Sequence, residues 1–165
     1  MTDPDVTIDW SGPLADSDAR WGSTFCLYAY SHGASLLYIG KVFESKDGTE
    51  RSVGVRYSAH MSEGDHADED TRVGKCVRQS TEHPQVRVGR ITLLDGGKVL
   101  TEEMVIDLET LLIIYEQPTC NRANKASRGA GRKGLRVNNL GDWSPMLKEQ
   151  CRVDPGIVKR LADLV

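Results

Sequence analysis

The alternation of apolar and polar residues predicts regular structure between residues 24 and 117 of this 165-residue chain. Residues 24–30 and 36–43 are rich in aromatic and β-favouring side chains and are separated by turn-forming residues, so they predict a β-hairpin. Residues 85–94 end at Asp95 and two glycines after a partly alternating pattern, which predicts a third strand. Helices are predicted over three further segments, at 52–61, 71–80 and 101–117.

The last predicted helix carries an acidic residue where an apolar one is expected. Thr101 is its N-cap, Glu102 and Glu103 lie in its first turn, and Pro118 ends it. Glu109 lies on the same side of this helix as the apolar stripe that faces the core. Burying an unpaired carboxylate costs roughly several kcal/mol, so its surroundings must supply a cation, a metal ion or hydrogen-bond donors. Glu109 is therefore either half of a structural ion pair or part of a functional site.

Length and composition predict one globular domain, since 39% of the residues are hydrophobic and 27% are charged. We expect an N-terminal arm at 1–22, a core at 23–125, and a basic loop and C-terminal extension packed on the core at 126–165. The acidic N-terminus and the lack of a long apolar run predict a cytoplasmic protein without a membrane segment. The cysteines lack zinc-site spacing and are expected to be reduced thiols: Cys26, Cys76, Cys120 and Cys151.

The charge distribution points to one candidate surface for DNA. A net charge of −3 argues against a general polyanion binder. Residues 117–141, however, contain no acidic side chain and collect basic ones among glycines. This basic segment is a candidate for binding the phosphate backbone. Its members are Arg122, Lys125, Arg128, Arg132, Lys133 and Arg136.

Two tyrosine-containing tripeptides on the predicted hairpin are followed by an arginine and a histidine on the next predicted helix. Cys26-Leu27-Tyr28 precedes Tyr38-Ile39-Gly40, with ten residues from tyrosine to tyrosine. Arg56 and His60 follow, one helical turn apart on a predicted helix. Arg51 is the alternative to Arg56, but it has no histidine one turn away.

The final motif lies in and after the last predicted helix. Glu109, Leu112, Ile113, Pro118 and Asn121 have the spacing E-x₂-L-I-x₄-P-x₂-N. With the preceding motifs, across roughly residues 24 to 124, the chain resembles the GIY-YIG endonuclease superfamily. The departures are the cysteine that replaces the first glycine of the signature, and a long interval before the helix arginine.

The resemblance implies an α/β domain of the α+β type, with a small, largely antiparallel three-stranded sheet flanked by helices. It also implies a stand-alone DNA endonuclease of the restriction or mobile-element type. Such an enzyme hydrolyses a phosphodiester bond with one divalent cation, Mg²⁺ or Mn²⁺, in each active site. The sequence leaves open whether two copies form a homodimer on DNA.

The resemblance also implies a role for each motif residue. Glu109 would bind the metal, because hard cations take oxygen ligands. Tyr28 would be the general base, with Tyr38 hydrogen-bonded to the attacking water or the phosphate. A phenol needs a cationic neighbour to act as a base near neutral pH, and Lys41 and Arg56 could supply that field.

Three residues complete the expected site. Arg56 would clamp the scissile phosphate through its planar guanidinium. His60 would orient Tyr28 or share its proton. Asn121 would hold the chain after the helix close to the site. Two rival hypotheses are a non-catalytic nucleic-acid-binding module on the same scaffold, and a structural protein in which Glu109 pairs with an arginine.

Overall fold

The computed structural model describes residues 5–43, 51–62, 69–94, 99–121, 136–142 and 150–152. These residues form an α+β fold with three α-helices, a short 3₁₀ helix over Ala19–Gly22 and one six-stranded sheet. The strands are β1 Asp5–Trp10, β2 Cys26–His32, β3 Ser35–Val42, β4 Gln85–Leu93, β5 Arg136–Gly141 and β6 Gln150–Arg152. The α-helices are α1 Val53–Met61, α2 Glu69–Ser80 and α3 Glu102–Glu116.

The strand order is β3-β2-β4-β1-β5-β6, and every neighbouring pair is antiparallel except β1 and β5. The predicted hairpin is confirmed: β2 and β3 pair directly, and Gly33 takes the left-handed conformation in the turn, with φ 56°. The third predicted strand is also confirmed as β4, which pairs with β2. The predicted core of the sheet is therefore present.

The sheet has more strands than the expected three, because segments on both sides of the predicted core also pair. β1, in the expected N-terminal arm, pairs with β4 and buries Val6, Ile8 and Trp10. β5 and β6 lie in the expected C-terminal extension, and β5 is parallel to β1. The Trp10 indole N–H donates to Asn139 Oδ1 at 2.9 Å across that parallel pair. The three-stranded expectation was wrong, and the largely antiparallel character is confirmed.

The three predicted helices are confirmed, and local capping explains their ends. The Ser52 hydroxyl accepts from Val55 N–H at the start of α1, and Thr101 Oγ1 accepts from Met104 N–H at the start of α3. Gln117 ends α3 in the left-handed conformation, with φ 48°. No helix in the described part of the chain is long and apolar enough to cross a membrane.

The two faces of the sheet are buried against different helices. The face toward α3 is mainly aliphatic, and it packs Ile8, Leu27 and Ile39 against Leu108 and Leu112. The opposite face packs against α1 and α2 and is rich in hydroxyl-bearing aromatic side chains. These are Tyr28, Tyr30 and Tyr38.

A disulfide joins α2 to the turn that follows α3. Cys76 and Cys120 are bonded, with their Cα atoms 5.6 Å apart. Cys26 is a free, buried thiol, and burial raises its pKa to about 12. The expectation of reduced thiols was therefore wrong for Cys76 and Cys120, whose spacing in the sequence gives no sign that they pair.

Reduction of this disulfide is expected to lower the free energy of unfolding by about 3–4 kcal/mol, because the bond closes a loop across 44 residues. Urea denaturation with and without reductant measures the difference. The double variant Cys76→Ser/Cys120→Ser serves as the control and should unfold identically in both conditions. Equal midpoints for the unmodified protein with and without reductant would show that the bond adds no stability.

Candidate active site

Tyr28, Tyr30, Tyr38 and His60 form a buried aromatic cluster between β2, β3 and α1. Tyr28 and Tyr30 lie on the same face of β2, Tyr38 comes from β3, and His60 comes from α1. The ring centroids of all six pairs are 5.2–6.4 Å apart. Three of the four residues are fully buried, and Tyr38 is 9% exposed. The aromatic cluster therefore brings together three of the predicted site residues and adds Tyr30.

Gly40 gives Tyr28 the room it needs. The two residues are directly opposite each other in the β2–β3 pair. A Cβ atom added at Gly40 would lie 2.5 Å from both Cζ and the hydroxyl oxygen of Tyr28, and 2.8 Å from Cε1 of Tyr38. The phenol ring therefore lies over the glycine backbone, which explains physically why the tripeptide at 38–40 ends in glycine.

α2 holds the end of α1 that carries His60. The guanidinium of Arg78 donates to the carbonyl oxygens of His60, at 3.0 Å, and Ser62, at 3.4 Å. Gly74 lies against the His60 carbonyl so closely that a Cβ atom there would overlap it. His60 is thus fixed by packing between helices, and its ring Nδ1 lies 3.0 Å from the Tyr30 hydroxyl.

Arg56 is the cation that acts on the tyrosines. Burial raises the pKa of Tyr28 to about 12, while Arg56 and Tyr38 lower it and Glu109 raises it. Burial, followed by the charges of Tyr28 and Glu109, raises the pKa of Tyr38, and Arg56 again lowers it. The predicted cationic field is therefore present, but desolvation outweighs it, and both phenols keep their protons near neutral pH.

The Tyr28 hydroxyl is a buried polar group with incomplete hydrogen bonding. Arg56 and Tyr38 are close enough to influence its pKa. Within the described residues, however, no hydrogen bond of full geometry reaches this oxygen. Buried hydroxyls normally have a partner, so an under-satisfied one beside an arginine marks a position suited to a polar ligand.

Lys41 supplies the cation that the buried Glu109 requires. Its ammonium nitrogen lies 2.5 Å from Oε2 of Glu109, whose side chain is 6% exposed, while that of Lys41 is 28% exposed. The carboxylate is therefore ion-paired with a lysine. The charge of Glu109 also raises the pKa of Tyr28 and of Tyr38, which lie on the opposite face of the sheet from α3.

Glu109 has the donor chemistry of a Mg²⁺ or Mn²⁺ ligand. Mg²⁺ is commonly held by one or two carboxylates together with waters and a substrate phosphate. Within the described ranges, no group of three or more His, Cys, Asp or Glu side chains comes together. A cation bound by Glu109 would compete with the Lys41 ammonium for Oε2.

Asn121 attaches the turn after α3 to the free side of β3. Its Oδ1 accepts from Ile39 N–H at 2.9 Å, and its Nδ2 donates to the Ile39 carbonyl at 2.8 Å. Cys120 N–H donates to the Leu37 carbonyl at 2.7 Å on the same side. Asn121 therefore satisfies both backbone groups of the residue between Tyr38 and Gly40.

The structure leaves the predicted DNA contacts undescribed. Five of the six basic residues, at positions 122–133, lie outside the described residues, and only the backbone of Arg136 is described, in β5.

Among the described residues, Tyr30 is the site member that the motifs do not indicate. Its position two residues after Tyr28 on a strand was the available signal, since such residues share a face.

No protein-family model, no curated protein and no solved structure matches the chain. The resemblance to GIY-YIG endonucleases therefore depends on the sequence motifs. A function for this site has to be argued from its side chains.

Gly40→Ala is expected to lower the free energy of unfolding by about 1–3 kcal/mol, because the added methyl group overlaps the Tyr28 ring. Gly22→Ala is the control, since a Cβ atom at Gly22 has no neighbour within 4 Å. Urea denaturation followed by circular dichroism measures both variants. If the two variants were equally stable, the close contact between Tyr28 and Gly40 would be excluded.

Asn121→Ala is expected to destabilise the protein by about 2–4 kcal/mol, because two buried backbone groups of Ile39 lose their partner. Hydrogen exchange should also accelerate at Ile39 N–H. Thr119→Ala, at an exposed position of the same turn, is the control and should change neither quantity. Unchanged exchange at Ile39 in Asn121→Ala would contradict the assigned contact.

Proposed function

We propose that this protein is a metal-dependent DNA endonuclease with a GIY-YIG nuclease core. The observation that carries the proposal is the packing of Tyr28 against Tyr38, with ring centroids 5.9 Å apart, where the charges of Arg56 and Glu109 act on both phenols. Arg56 and Glu109 both alter the pKa of Tyr28 and of Tyr38, with opposite signs. Two phenols, a guanidinium and a carboxylate can supply the base, the phosphate contact and the metal ligand that phosphodiester hydrolysis uses.

Each side chain has a proposed task. Arg56 binds the non-bridging oxygens of the scissile phosphate through its planar fork. Once the Tyr28 hydroxyl has released its own proton to bulk water, its phenolate accepts the proton of the attacking water, and Tyr38 donates a hydrogen bond to that water or to the phosphate. Entry of water and phosphate into the aromatic cluster would remove part of the desolvation, the largest cause of the raised pKa of Tyr28.

Glu109 is proposed as the ligand of one Mg²⁺ or Mn²⁺ ion. When bound, the cation would supply positive charge at the phosphate. Lys41 holds the Glu109 carboxylate in place through the ion pair. Asn121 keeps β3, which carries Tyr38 and Lys41, against the end of α3. The basic segment at 122–136 is proposed to bind the DNA backbone. The formation of a homodimer on DNA and a cytoplasmic location remain predictions.

One observation favours a second candidate, a non-catalytic nucleic-acid-binding module. Tyr28 and His60 have no exposed surface, and the carboxylate of Glu109 is already paired with Lys41. A site that never opens would keep the nuclease scaffold without cutting DNA. Such a module would retain DNA through its basic segment and show no metal-dependent nicking.

Glu109→Gln is expected to reduce nicking of supercoiled plasmid in Mg²⁺ by about 100-fold or more, because the amide keeps the shape of the side chain and loses the charge that binds the cation. Glu102→Gln is the control, at an exposed position in the first turn of the same helix. Gel analysis of supercoiled, nicked and linear plasmid measures the rate, and a chelator should abolish cutting by the unmodified protein.

The outcomes separate the candidates. Undiminished cutting by Glu109→Gln would refute the role of Glu109. A protein that retards DNA in a gel but never nicks it would be the binding module. A protein that does neither would leave Glu109 and Lys41 as a structural ion pair.

A further inference from the structure

The Tyr30 hydroxyl is a buried hydrogen-bonding group that the proposed reaction does not use. Tyr30 is fully buried at the centre of the tyrosine-rich face, in contact with the rings of Tyr28, Tyr38 and Tyr57. Within the described residues, its hydroxyl makes one hydrogen bond, to Nδ1 of His60 at 3.0 Å. The two rings meet edge-on, with an interplanar angle of 85°.

Two arrangements of protons satisfy this contact when the imidazole is neutral. Either the Tyr30 hydroxyl donates to a bare Nδ1 and the His60 proton is on Nε2, or Nδ1–H donates and the phenol proton needs another acceptor. No second acceptor for Tyr30 lies among the described residues. In the second arrangement both the Tyr30 proton and the lone pair of Nε2 would need a further partner in this buried site, whereas in the first only the Nε2 proton does, so the first is favoured.

The surroundings of His60 favour the neutral ring. Its side chain has no exposed surface, and three aromatic rings surround it. Burial of this kind disfavours imidazolium. Burial also raises the pKa of Tyr30 well above its ordinary value, so the phenol keeps the proton it donates.

We propose that Tyr30 is a positioning residue of the candidate active site, whose hydroxyl donates to Nδ1 of His60 and fixes that imidazole as the tautomer protonated on Nε2. The consequence is specific. His60 then presents a hydrogen-bond donor at Nε2, and that nitrogen cannot take a proton from Tyr28. This inference deepens the proposed nuclease function and, in its effect on cleavage, rests on it.

The tautomer can be measured without any reaction. A long-range ¹H–¹⁵N correlation spectrum distinguishes a protonated ring nitrogen from a bare one, and His60→Gln identifies the His60 signals by their loss. We expect the unmodified protein to show a protonated Nε2 and a hydrogen-bonded, bare Nδ1. In Tyr30→Phe the Nδ1 signal should shift as its donor is lost. A proton on Nδ1 in the unmodified protein overturns the proposal even if Tyr30→Phe fails to fold.

Tyr57→Phe is the matched control. The Tyr57 ring packs against Tyr30, as His60 does, but among the described residues it makes no ring contact with His60. Its His60 signals should be unchanged. Identical His60 signals in Tyr30→Phe and the unmodified protein would overturn the proposal as well, provided circular dichroism shows that both are folded.

Cleavage provides the second readout. Tyr30→Phe should lower kcat about tenfold and leave KM nearly unchanged, the effect of one lost hydrogen bond acting through His60. His60→Gln, whose amide can also donate at the Nε2 position, should retain more activity than His60→Ala. Equal losses in those two variants would overturn the donor role. If no form of the protein cuts DNA, the nuclease proposal fails, while the spectrum still decides the tautomer.

Discussion

Strand β3 is the edge strand of the sheet, and the hydrogen bonds along its free side hold the candidate site together. An open edge exposes backbone N–H and C=O groups, which require a partner. Residues 119–121 provide it, through backbone contacts and the two-point contact of Asn121 with Ile39. Because this segment directly follows α3, the same contacts bring Glu109 to the strand that carries Lys41. The turn after α3 therefore covers the sheet edge and brings α3, which carries Glu109, next to β3, which carries Lys41.

The aromatic cluster shows how burial limits the chemistry of its own hydroxyls. The guanidinium of Arg56 lowers the pKa of Tyr28, as the motif suggests, but desolvation is the larger effect and the pKa rises to about 12. Lys41, the other cation expected to supply that field, is ion-paired with Glu109. The packing that places the phenols also holds them neutral. Any reaction at Tyr28 therefore has to begin with a change in its hydration.

Local patterns predicted the elements that local interactions determine. The hairpin, α1 and α3 were predictable because turn glycine, N-cap side chains and periodic apolar residues act within a few positions. β1 has a period-two signal in Val6, Ile8 and Trp10, but flanking acidic residues obscured it. Pairing of β1 with β5 is parallel and joins the two ends of the described chain, so no local pattern predicts it. The contact between Tyr30 and His60 likewise depends on how α1 packs on the sheet.

The Lys41–Glu109 pair is better explained by its effect on neighbouring hydroxyls than by its effect on stability. Desolvation of two partly buried charges offsets most of their attraction, and apolar side chains of similar volume often stabilise a fold as well. The electrostatic effect of the Glu109 carboxylate extends beyond the pair, because it raises the pKa of both Tyr28 and Tyr38. Replacing the lysine ammonium by another cation would alter the field at these phenols while α3 stayed packed on the sheet. The electrostatic effect of Glu109 on the phenols is therefore separate from the small contribution of the ion pair to stability.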